Sequence, residues 1–118
     1  DEVLRETAGL LARTVRSDEA AFRLGGEEFV MIVDDGEGTG GQAAGCAERV
    51  RREIEAMRVT RRERVLPPIT VSIGLARYPK DVPHGASPLQ RADAALYAAK
   101  RTGRNRVTGE ADAAAHAA

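Results

Sequence analysis

At 118 residues the chain is long enough for one domain that buries roughly two thirds of its unfolded surface. Lys plus Arg and Asp plus Glu each number 18, so the formal net charge is zero, which excludes a nucleic-acid or membrane surface built on bulk electrostatics. No apolar run approaches the ~18 residues of a membrane span, no charged-then-apolar N-terminus suggests a signal peptide, and the single Cys46 can close no internal disulfide, so a soluble, cytoplasmic segment is expected.

Asp1-Glu2-Val3-Leu4 opens directly into a periodic helix, and the segment is therefore expected to be the later part of a larger domain. Leu4, Ala8, Leu11 and Val15 fall at helical spacing, with Arg5, Glu6 and Arg13 on the other face; this predicts a first helix over residues 2–15. Asp1 is placed to cap it, a contribution of about 1 kcal/mol. Arg16-Ser17-Asp18-Glu19 reads as a polar turn.

Ala21 to Leu24 and the continuously apolar Phe29 to Val33 read as two strands, the second a buried central one. Gly25-Gly26 between them supplies the backbone freedom of a tight turn, and Glu27 and Glu28 stand at that turn. Two readings of the acids remain open: a solvent-exposed tip with hydrated glutamates, which the pentapeptide alone favours, or a carboxylate site for Mg²⁺ and phosphate oxygens.

Residues 34–41, acidic and glycine-rich, read as a loop. They lack the lysine of a phosphate cradle and the ligand spacing of a calcium loop. Ala43, Ala47, Val50, Ile54 and Met57 mark the inner face of a second helix, whose outer face carries Glu48, Arg49, Arg51, Arg52, Glu53 and Glu55 with weak ion pairs. Cys46 in that helix reads as a small buried hydrophobe. The basic run 58–64 reads as an exposed loop or strand tip, since no aromatics are interleaved for base stacking.

After Pro67-Pro68, the residues Ile69, Val71, Ile73 and Leu75 alternate with Thr70, Ser72, Gly74 and Ala76. This predicts a strand whose small face admits a closely packed helix. Residues 78–88 read as a surface loop in which His84 has no second ligand at metal spacing. Ser87 and Pro88 then start a third helix, with Leu89, Ala92, Leu96 and Ala99 as its buried stripe and Lys100 and Arg101 in its last turn before Gly103. Residues 105–108 are expected to add a short strand, and the alanine-rich 109–118 to fray. With 3% aromatics and no Trp, the core must be aliphatic. The fold class is α/β (α+β), helices packed on a mixed central sheet.

Five segments, Asp1-Glu2-Val3-Leu4-Arg5, Arg23-Leu24-Gly25-Gly26-Glu27-Glu28-Phe29, Thr70-Val71-Ser72-Ile73-Gly74, Arg91 to Lys100 and Gly103-Arg104-Asn105, in that order resemble the GGDEF family of diguanylate cyclases, which share a nucleotidyl-cyclase-like fold. The resemblance runs from Asp1 to about Val107. It implies condensation of two GTP into cyclic di-GMP with release of pyrophosphate, Mg²⁺ or Mn²⁺ as cofactor, a homodimer for activity and an upstream sensory or regulatory domain.

By position, Gly25 and Gly26 would line the substrate hairpin. Glu27 would be a metal ligand and acceptor of the 3′-hydroxyl proton, and Glu28 a second acid at the metals. Asp1 would read the guanine edge, and Lys100 and Arg104 would hold the triphosphate. Arg16-Ser17-Asp18-Glu19 occupies the place of the family's Arg-x-x-Asp product-inhibition motif, with Glu19 instead of Asp, and Arg49 resembles a secondary arginine of that site. The family's first strand and the segment supplying an Asn and a His are expected before Asp1. Without them this polypeptide alone is expected not to turn over efficiently. The competing functions are a GTP-binding or cyclic di-GMP-binding module that relays a signal, and a structural dimerisation domain.

Overall fold

Helical periodicity and glycine turns give three helices and six short strands among the described residues of this computed structural model, which are 2–14, 20–25, 28–32, 41–76 and 87–109. In chain order they are α1 (Glu2–Thr14), β1 (Ala20–Gly25), β2 (Glu28–Ile32), α2 (Gly41–Ala56), β3 (Thr60–Arg61), β4 (Arg64–Val65), β5 (Ile73–Leu75), α3 (Pro88–Arg101) and β6 (Val107–Gly109). The expected mix of parallel and antiparallel pairing is present as three two-stranded pairs: β1 with β2 and β3 with β4 antiparallel, β5 with β6 parallel.

The core is aliphatic. Leu11 of α1 and Val50 and Ile54 of α2 are its buried centre, and Leu10, Phe29, Met31, Ile69, Val71 and Ile73 pack against it. On α1 the periodic reading needs one correction, because Ala8 is exposed and Thr7 is buried instead. The Thr7 hydroxyl donates to the Val3 carbonyl at 2.8 Å, so the polar atom enters the interior already satisfied. Phe29, Val30 and Met31 are half-buried rather than fully enclosed. The second helix buries the expected Val50 and Ile54, while Cys46 is half-buried.

The alternating run 69–75 forms a strand only over Ile73–Leu75, where it matches the three residues of β6, in the register Ile73 with Val107, Gly74 with Thr108 and Leu75 with Gly109. Ile69 and Val71 still face the core, so the period-two pattern reports burial correctly but overstates ladder length. The expected final strand lies at residues 107–109 rather than 105–108, because Arg104 and Asn105 are in the left-handed region, which no strand can use.

β5, α3 and β6 form a compact unit, and Gly74 sets its spacing. A Cβ there would fall on the Ala92 carbonyl and the Leu96 amide, and would lie 2.8 Å from Leu96 Cα. The helix backbone therefore rests directly on the strand. That contact selects the smallest side chains on α3: Ala95 and Ala99 are fully buried and Ala98 nearly so, whereas Leu89 is 48% exposed. The expected stripe of Leu89, Ala92, Leu96 and Ala99 thus turns toward Ala95 and Ala98, with Ala92 and Leu96 half-buried where their backbone meets Gly74.

β3 and β4 are joined by Arg62 and Glu63, with φ of 52° and 65°. Positive φ at both central residues is the pattern of a type I′ turn, which Asn-Gly normally fills. An Arg-Glu pair there carries roughly 1 kcal/mol of strain per residue. Replacing Arg62 by Asn together with Glu63 by Gly is expected to raise unfolding stability by about 1 kcal/mol, read as a higher urea midpoint at unchanged m value.

Candidate functional site

Two chain turns bring forward the residues of interest. At the first, β1 and β2 pair in register from Ala20 with Ile32 to Arg23 with Phe29, after which Gly25 pairs with Glu28. One residue is therefore extra on the β1 side, an irregularity of the kind that commonly terminates pairing beside a functional site. Gly25 and Glu28 close the described hairpin, and the pairing leaves only residues 26 and 27 between the strands. The expected hairpin is thus present. Gly26 and Glu27 themselves lie outside the described residues.

The second turn ends α3. Its start is fixed by a capping box: Gln90 N–H donates to Ser87 Oγ at 3.1 Å, and Ser87 N–H donates to Gln90 Oε1 at 3.0 Å, with Pro88 in the first turn. Its end is a Schellman-type closure. Gly103 has φ of 131°, Thr102 N–H donates to the Ala98 carbonyl at 3.0 Å, and Arg104 N–H donates to the Ala99 carbonyl at 2.9 Å. Arg104 and Asn105 follow with φ of 64° and 49°, making three successive left-handed residues.

Four cations surround this turn, but two are engaged. Arg101 lies 5.7 Å from the Tyr97 ring centroid, a cation–π distance, and Arg106 Nε donates to the Arg104 carbonyl at 3.1 Å. Lys100 and Arg104 are exposed, and neither side chain has an acidic partner among the described residues. Helix-dipole stabilisation accounts for Lys100 in the last turn. It does not account for Arg104, which stands beyond the helix at a backbone angle that costs about 1 kcal/mol for a residue with a Cβ. An anion is the chemistry that two such cations can serve.

Behind the turn stands a polar network that periodicity assigned to the solvated face of α2. The Arg51 side chain is only 15% exposed. It pairs with Glu48 at 2.5 Å and Glu55 at 3.7 Å, and its NH1 donates to Asn105 Oδ1 at 2.8 Å. The hydrogen bond from Arg51 holds the Glu48 carboxyl below the ordinary glutamate range, and Glu48 in turn raises Arg51. A lowered folded-state value means stability that is present above the ordinary range and lost as pH falls through it. Glu48→Gln is accordingly expected to lower stability at neutral pH and to leave it unchanged in acid, where the carboxyl is already protonated, so that the acid limb of a stability-against-pH curve flattens.

Of the other sequence-predicted positions, Arg49 is exposed on α2. Asp1, Arg16, Glu19, residues 33–40, His84 and the residues beyond 109 lie outside the described residues. Among the described residues no cluster of His, Cys, Asp and Glu could hold a metal ion. No helix among them is long and apolar enough to cross a membrane. The paired Glu27 and Glu28 of the hairpin offer hard oxygen donors, the donor set that suits Mg²⁺ or Mn²⁺.

The described residues form an α/β domain whose last helix ends in basic residues, and one family model matches the chain. That model, diguanylate cyclase, GGDEF domain, matches residues 1–106, and the chain belongs to this family. It is 36% identical over 108 residues to diguanylate cyclase A of Treponema denticola, covering 92% of this chain and 28% of the relative. The chain thus spans about a quarter of the curated relatives it matches. Among solved structures, the GGDEF domain of DgcB from Caulobacter crescentus in complex with c-di-GMP superposes with a TM-score of 0.78 at 40% identity, over 92% of this chain and 63% of that one. The active GGEEF domain of a diguanylate cyclase from Vibrio cholerae gives 0.68 at 27% identity, over 93% and 67%.

Proposed function

We propose that this chain is the C-terminal part of a diguanylate cyclase domain that condenses two GTP into cyclic di-GMP in a homodimer. In each half of the reaction a 3′-oxygen forms a bond to the α-phosphorus of the other GTP. The bond between the α- and β-phosphates breaks, and pyrophosphate leaves with the electron pair. Glu27 accepts the 3′-hydroxyl proton; Lys100 and Arg104 hold the triphosphate; Asp1 reads guanine; Gly25 and Gly26 let the hairpin backbone approach the nucleotide.

Glu27 and Glu28 would hold the magnesium ion, which when bound offsets phosphate charge and makes the hydroxyl more acidic. Two half-sites must meet because each carries one GTP. The segment belongs on the cytoplasmic side, where GTP is made, attached to an upstream sensory or regulatory domain. Support for this reading rests on one observation above all: Arg104, strained and without an acidic partner among the described residues, shares the end of α3 with Lys100. Family membership and the Gly-Gly-Glu-Glu-Phe sequence of the hairpin agree with it.

The test is incubation of the full-length protein with GTP and Mg²⁺. The expected result is one cyclic di-GMP and two pyrophosphates for every two GTP consumed. GTP binding without product under forced dimerisation would instead favour a signal-relaying module. Product inhibition is expected to be weak, because Glu19 stands where the family motif has Asp and its extra methylene changes the geometry offered to guanine. Calorimetry is expected to give no submicromolar cyclic di-GMP affinity that Arg16→Ala abolishes.

A further inference from the structure

We infer that Asn105 is a positioning residue whose side chain fastens the left-handed turn to α2 and so aims Arg104. The inference rests on the proposed triphosphate role of Arg104.

Asn105 is tied to two separate parts of the fold. Its Oδ1 accepts from Arg51 NH1 at 2.8 Å, its Nδ2 donates to Glu55 Oε2 at 2.6 Å, and its backbone N–H donates to Ser72 Oγ at 3.1 Å. Arg51 and Glu55 are on α2, more than 50 residues back along the sequence for the first and 50 for the second, while Ser72 lies just ahead of β5. Ile73 N–H donates to the Arg106 carbonyl at 2.8 Å, which pins the far side of the same turn.

Two independent requirements meet at this position. The backbone φ of 49° favours Asn, Asp or Gly over other residues. The side chain must also present an acceptor to a cation and a donor to a carboxylate at once, which an amide does and a carboxylate or an alkyl group does not. Asparagine satisfies both.

The consequence falls on its neighbour. Arg104 carries a Cβ at φ of 64°, a conformation that persists only where the surroundings over-determine it. The Arg104 N–H bond to Ala99 fixes one side of the residue, and the Asn105 anchors fix the other. Without those anchors the peptide between residues 104 and 105 is free to turn, and the Arg104 side chain swings away from Lys100. Arg51, already paired with Glu48 and Glu55, keeps the anchor rigid.

Asn105→Gly separates the two requirements, since glycine retains the left-handed backbone and loses both side-chain bonds. In the full-length protein it is expected to raise KM for GTP roughly tenfold with a smaller change in kcat. In an Arg104→Ala background it is expected to raise KM no further, because nothing is left to aim. Additive effects in that double variant, or an unchanged KM in Asn105→Gly alone, would overturn the inference while leaving the triphosphate role of Arg104 intact.

An Arg104→Ala variant with unaltered KM would overturn the triphosphate role first and this inference with it. Should Asn105→Gly fail to accumulate folded, Glu55→Ala removes one of the two side-chain bonds, that from Asn105 Nδ2, from an exposed helix position. It is expected to raise KM several-fold, with Glu55→Gln, whose amide oxygen still accepts, restoring it. No rise in Glu55→Ala, or no rescue by Glu55→Gln, counts against the anchor.

Discussion

Glu27→Gln in the full-length protein is expected to lower cyclic di-GMP formation by about a thousandfold or more. The exchange preserves size and removes only the negative charge and one acceptor. Under the proposed roles it would withdraw a hard oxygen donor from the divalent ion and the acceptor from the attacking hydroxyl. Stability is expected to change little, since the exchange is isosteric and falls between Gly25 and Glu28, the last paired residues of β1 and β2. GTP turnover and the thermal midpoint, measured on the same sample, separate the two effects. Glu27→Asp, which keeps the charge and shortens the side chain by one methylene, is expected to stay within about tenfold of the parent. Near-parental turnover by Glu27→Gln would remove the metal and base roles together and leave the hydrated-tip reading of the hairpin.

The second large effect concerns folding. Gly74→Val is expected to destabilise the domain by about 3 kcal/mol or more. Strand propensity alone predicts the opposite sign, because valine favours extended backbone and glycine weakens it. Contact with α3 decides, since the added Cβ would coincide with backbone atoms of Ala92 and Leu96, and backbone cannot rotate aside as a side chain can. Moving α3 away would open the fully buried Ala95 and Ala99 to a gap. Urea midpoints for Gly74→Ala and Gly74→Val, at unchanged m value, read the cost. Falling stability from Gly to Ala to Val is expected, and a more stable valine variant would rule out the close contact.

How legible this was from sequence differs by element. The three helices were readable because their apolar spacing is regular and their ends carry local signals; the Ser87 cap and the Gly103 stop are both present. The small face of the 69–75 run was correctly read as the seat of a helix, since glycine at position 74 has few other uses in a strand. What failed was depth. Helical spacing puts Leu89 inward, yet it precedes the contact of Ala92 and Leu96 with Gly74 and is left exposed at the rim.

Arg51 was assigned to solvent because its neighbours in sequence are charged. Its burial comes from Asn105, 54 residues away, and no local pattern carries that information. Asn105 itself left a faint trace, since asparagine after Gly-Arg at a helix end is compatible with a left-handed turn. For the hairpin, sequence supplied two strands and a Gly25-Gly26 turn between them, while the pairing of Gly25 with Glu28 comes from the structure. The roles of Glu27 and Glu28 came from the family signature, because two acids at a turn are equally at home in water.

The parallel pairing of β5 with β6 also bears on how the polypeptide is made. Because α3 and the Arg104 turn intervene, β5 waits on the ribosome for a partner until residues 107–109 have been synthesised. A nascent chain halted before that point presents Ile73 to Leu75 as an open edge, with Gly74 bare of side-chain protection. Translation of the last few strand residues therefore closes one edge of the segment to intermolecular β-pairing. Truncation after Arg106 is accordingly a route to aggregation rather than a trimming of the surface.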